Sequence, residues 1–236
     1  MENETRPMNS KLRLFLDVLL FGSIWGLLET SLGTLLHLSA FSGAGIFLKT
    51  SIVMVTIAGF LMAMCYKRTR SLLSIIYMGL IAAAIKFTAA FIIGFNTYVY
   101  TPAMYIVIES LAMTASLAVF KPDRVLSPKT LATFVLANTT YQFSYIVFSG
   151  LLGGTNAFAS MANWEKVGVK YLFTYNGLAI LYAFAIGGIA YGVMKALEKA
   201  EVKVNFNLKK VVFSPITASI AFAIAIAVTL TFTAFF

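Results

Sequence analysis

Seven apolar runs, each about 20 residues or longer, span most of this 236-residue chain, at 12–36, 45–66, 72–95, 102–120, 131–152, 171–194 and 211–236. A helix rises about 1.5 Å per residue, so such a run matches a hydrocarbon core roughly 30 Å thick. The runs are nearly continuous rather than alternating, which argues for helices and against the short two-faced strands of a membrane barrel. Composition agrees: 60% of residues are hydrophobic and 11% charged, against about 45 to 50% and about 25% in soluble domains. The mean hydropathy is +0.87. The sequence predicts an all-α, polytopic membrane helix bundle forming a single domain over 1–236. A six-helix core occupies 12–197, and a further, peripheral helix occupies 211–236. Lys195 to Lys210, the most polar stretch, separates the two.

The net charge of +9 would suggest nucleic acid in a soluble protein. Here it reads as loop charge, so no nucleic-acid partner is expected and the lipid bilayer is the surrounding phase. Arg6, Lys11, Arg13, Lys67, Arg68, Arg70, Lys121, Arg124, Lys129, Lys195, Lys199, Lys203, Lys209 and Lys210 flank alternate connections. The opposite connections carry Lys166 and Lys170. That asymmetry puts the amino terminus in the cytoplasm and, with seven spans, the carboxyl terminus outside the cell membrane. The first run exceeds a signal-peptide core and contains Glu29, so it is read as a retained helix.

Four ionisable residues fall inside separate spans: Glu29, Lys49, Lys86 and Glu109. Each charge at a helix centre costs about 2.5 to 3.5 kcal/mol on insertion scales, so they should face protein or a wet cavity. Helical rise places Glu29 and Glu109 about 10 Å below the outer ends of their spans, Lys86 about 14 Å and Lys49 about 6 Å. Glu29 shares a helix face with Gly22, Trp25, Gly26 and Gly33; Lys86 shares one with Gly79, Ala82, Ala83, Ala89 and Ala90. Small residues at these spacings mark close helix crossings. Glu109 stands with Tyr105, Ala112, Met113 and Ser116. Asn138, Tyr141, Gln142 and Tyr145 on the fifth span, and Tyr171, Tyr175 and Asn176 at the entrance of the sixth, add hydrogen-bonding groups to the same side. Together these residues predict a polar substrate-binding cavity in the outer half of the bundle. The competing reading is structural: Glu29 with Lys86, or Glu109 with Lys49, would lock helices together, and Lys49 would snorkel outward. Asp17, one turn after Arg13, reads as a structural pair with it. His37 and Cys65 read as structural.

The chain has no phosphate-binding loop, no HExxH and no cluster with metal-ligand spacing, and His37 is its one histidine. No catalytic residues, metal or cofactor are expected, and the chain is read as a non-enzyme. A charged cavity open to the outside suits capture of an external small molecule. Without a nucleotide site of its own, the chain must borrow an energy source or use an ion gradient.

The segments FGSIWGLLETSLG (21–33), GLIAAAIKFTAA (79–90) and TPAMYIVIESLA (101–112), set in a six-helix core, resemble the substrate-capturing membrane subunits, or S components, of energy-coupling factor transporters. The resemblance covers roughly 12–197. It implies uptake of a vitamin-like or other small organic solute, with a coupling membrane subunit and two cytoplasmic ATPases as partners. In that family a small-xxx-small pattern, usually alanines, on the first helix meets the coupling subunit; here Gly22 and Gly26 hold the spacing. Metal-transporting relatives carry a histidine-containing amino-terminal segment, which MENETRP does not supply, so an organic cargo is implied. The seventh span departs from the usual core. Two Glu, two Lys and several Tyr and Asn would suit a zwitterionic or carboxylate-bearing molecule. An ion-gradient-driven carrier or channel acting as a homo-oligomer, and an intramembrane enzyme or assembly factor, stay open as alternatives.

Overall fold

A computed structural model of the protein describes residues 10–37, 50–122, 127–151 and 211–235, with Gly177, Leu178, Ile180, Leu181 and Ala185 as further helical positions. The described residues form helices α1 (Ser10–His37), α2 (Thr50–Thr69), α3 (Leu72–Phe87), a single turn α4 (Ala90–Ile93), α5 (Thr97–Phe120), α6 (Pro128–Leu151) and α7 (Pro215–Phe235). Three stretches, Leu72–Ile93, Val99–Phe120 and Pro215–Phe235, are long and apolar enough to cross a bilayer. The chain is a membrane-embedded, all-α helical protein. Helices α1, α2 and α6 occupy three other spans expected from the sequence, and most of the sixth, 171–194, lies outside the described residues.

Local chemistry sets the helix ends. Pro128 and Pro215 each open a helix, where a missing N–H costs nothing. The hydroxyls of Ser127 and Ser214 accept from the backbone N–H of Thr130 and Thr217, both at 3.1 Å, satisfying a donor that has no partner within the helix. The third apolar run breaks after Phe87: the Thr88 hydroxyl donates to the Ile85 carbonyl at 2.6 Å, and Gly94, at φ 72°, adopts the left-handed backbone that reverses the chain. The rings of Phe87 and Phe95 meet edge to face at 5.4 Å across this reversal. Helix α5 begins before Pro102, at Thr97, with the Asn96 carbonyl accepting from Val99 and Tyr100. The proline therefore lies inside the helix rather than at its start.

Side-chain volume decides the packing. A Cβ at Gly22 would lie 2.9 Å from Ile81 Cβ, and one at Gly26 would lie 3.0 Å from Ile85 Cβ, so α1 and α3 cross at a distance that only glycine permits. On the opposite flank of α3, a Cβ at Gly79 would overlap Ser110 of α5. Trp25, Met62, Ile75, Met78, Met113 and Leu117 fill the core between α1, α2, α3 and α5. Helix α7 lies at the edge but is firmly docked: Ala218 packs with Leu16 and Leu20 of α1, and Thr229 shares a 2.9 Å hydrogen bond with Thr30. The ascending order of these contacts makes α7 parallel to α1.

The start of α1 meets the end of α2 through Asp17. Its carboxylate accepts from Arg68 Nε at 2.7 Å, while the Arg68 guanidinium lies 3.3 Å above the ring of Phe213, just ahead of α7. The expected Asp17 to Arg13 pair is thus replaced by a pair between helices. The contact also gathers Lys11, Arg13, Lys67, Arg68 and Arg70 at one end of the bundle. Cys65 donates to Ser74 at 3.8 Å nearby, closing the junction between α2 and α3.

Candidate functional site

Three of the four ionisable residues expected inside the bundle approach one another from three helices. Glu29, on α1, is half-buried and accepts from the indole N–H of Trp25, one turn earlier, at 3.2 Å. Lys86, in the last turn of α3, is half-buried and within electrostatic reach of Glu29. Glu109, on α5, is buried at 6% exposure and feels the charge of Glu29 in turn. The small-residue faces explain the approach: Gly26 and Gly79 draw α1 and α5 onto opposite flanks of α3. Lys49, Tyr175 and Asn176 lie outside the described residues.

Glu109 differs from the other two. Its Oε1 is shielded from solvent and has no hydrogen-bond partner among the described residues. A buried polar atom left in that state costs about 1 to 3 kcal/mol, and more when charged. The carboxyl lines a narrow cleft between α2, α5 and α6. Its polar wall is Glu109, Asn138 and Tyr141, while Val55, Met62, Met113, Phe134 and Ala137 make the rest apolar. Gly59 completes the wall, and the ring of Phe134 fills the space its side chain would take. The enclosed centre holds about one water-sized molecule. Tyr141 also meets Tyr105 edge to face at 6.4 Å. Gln142 is buried beside this wall without lining the cleft.

Three sequence-derived site residues, Glu109, Asn138 and Tyr141, therefore share one cleft. Glu29 and Lys86, within electrostatic reach of each other, lie outside its lining. The apolar wall is not distinguishable from core in the sequence; Gly59, the one glycine of α2, is the available signal. Gly22 and Gly26 are buried against Ile81 and Ile85 of the same chain, so their small-residue face is filled by α3. Among the described residues, no group of His, Cys, Asp and Glu could hold a metal ion.

Comparison with protein-family models, with curated proteins and with solved structures returns no match. The functional reading consequently rests on the cleft and on the membrane-embedded bundle around it.

Proposed function

We propose that this chain is the substrate-capturing membrane subunit of an uptake system for a small organic solute, of the kind that borrows its energy from two cytoplasmic ATPases through a coupling membrane protein. The observation that carries the proposal is the buried Glu109 oxygen, unmet by the described residues and facing a cleft inside a membrane-embedded bundle. Unsatisfied buried acceptors are rare in folded proteins, and a bound guest is a direct way to satisfy one. Ionisable residues within membrane spans mark binding sites and pathways by default. The gathering of basic residues at one end supports a cytoplasmic location for that end. The amino terminus is then inside, and α7, parallel to α1, ends outside the cell membrane. Partner docking must use a surface other than the Gly22 and Gly26 face.

The test is affinity isolation of the tagged full-length chain from its host membranes, followed by reconstitution of whatever accompanies it. Co-isolation of two ATPases and a membrane subunit, with ATP-dependent solute accumulation in vesicles, is the expected result. Solute flux driven by a proton gradient through the purified chain alone would contradict it. That second outcome has its own structural motive, because Glu29 and Glu109 are two carboxyls within electrostatic reach of each other inside the bundle, and such groups carry protons in membrane carriers.

A further inference from the structure

We infer that the cleft between α2, α5 and α6 binds the nitrogen-bearing, cationic end of its ligand on Glu109, so that the substrate class is an organic amine rather than a carboxylate. The inference rests on the uptake reading and narrows its cargo. The two Glu and two Lys of the spans, read from the sequence, suit a zwitterionic or carboxylate-bearing molecule. The three of them that the structure describes are divided. Lys86 is within electrostatic reach of Glu29, and among the described residues the charged lining of the cleft is Glu109 alone.

A carboxylate guest would meet no cation in the described lining of the cleft and no partner for its own buried charge. An ammonium reverses each of these terms: it donates to the unmet Oε1, offsets the buried charge, and gains the charge-assisted hydrogen bond that is about twice as strong as a neutral one. The remaining wall suits such a guest. The rings of Phe134 and Tyr141 present π faces or edges to a cation or to an attached ring. Met62 and Met113 add flexible, polarisable side chains that adapt to an apolar body.

Three one-carbon compounds of similar size separate the possibilities: methylammonium, methanol and formate, titrated against the full-length protein in lipid nanodiscs by calorimetry. The wild type is expected to bind methylammonium about tenfold or more tighter than either of the others, as a hydrogen bond to a charged group implies. Glu109→Gln should abolish that preference while leaving the thermal melt of the protein unchanged or slightly raised, the sign of an intact fold. Glu109→Asp should restore part of the preference.

Preference for formate, equal affinity for methylammonium and methanol, or a preference that survives Glu109→Gln would each overturn the inference. So would absence of saturable binding by all three compounds. Failure here leaves the uptake reading intact if ATPases still co-isolate and drive accumulation. Selective ammonium binding by a chain that captures no ATPases would instead sink the uptake reading and leave the chemistry of the cleft standing.

Discussion

Asp17 and Glu109 are both buried carboxylates in the same bundle, at 3% and 6% exposure, and their surroundings are opposite. Asp17 accepts from Arg68, whose guanidinium in turn lies on Phe213, so one charge fastens α1, α2 and the approach to α7. Glu109 has an acceptor oxygen unmet by the described residues, an apolar cleft in front of it and a second carboxylate nearby. Burial alone therefore does not distinguish structure from function. What distinguishes them is whether the fold itself completes the hydrogen bonds. At the basic end it does; at the cleft it leaves an acceptor open.

The contrast is open to direct attack. Asp17→Ala should cause the largest loss of stability, about 2 kcal/mol. That is below the roughly 3 to 5 kcal/mol for a fully buried pair, because Arg68 stays partly in contact with solvent. A thermal melt of the detergent-purified protein measures it, and an unchanged midpoint would make the Asp17 contact ornamental. Phe213→Leu removes the ring beneath Arg68 and should cost about 1 kcal/mol, seen as earlier proteolysis of the segment leading into α7. Thr229→Val deletes the hydrogen bond to Thr30 and should cost about 0.6 kcal/mol, the usual worth of such bonds between membrane helices. Glu109→Gln should have the smallest effect on the melt, neutral or slightly stabilising, since it removes a charge that the described residues leave incompletely paired. A large loss of stability in that variant would move Glu109 into the same structural class as Asp17.

Much of this organisation is legible in the amino-acid order. Apolar runs of membrane length gave the helices, and small residues beside Glu29 and Lys86 indicated that these charges face inward. The Asp17 partner was not legible, because helical spacing points to Arg13 one turn away while Arg68 lies 51 positions distant. Long-range pairing leaves no periodic trace. The helix starts at Ser127-Pro128 and Ser214-Pro215 were present as capping signals, but hydropathy shifted the expected boundaries to 131 and 211. The cleft was half legible: polar Glu109, Asn138 and Tyr141 stood out, whereas Met62, Met113 and Phe134 are indistinguishable from core residues until the helices are packed.

The central claim is that Glu109 holds a guest molecule. Native mass spectrometry of the chain released from its host membranes, compared with Glu109→Gln prepared identically, tests it most directly. A small nitrogen-containing molecule retained by the wild type and missing from the variant is the predicted result; the same bound mass in both proteins, or none in either, would contradict it.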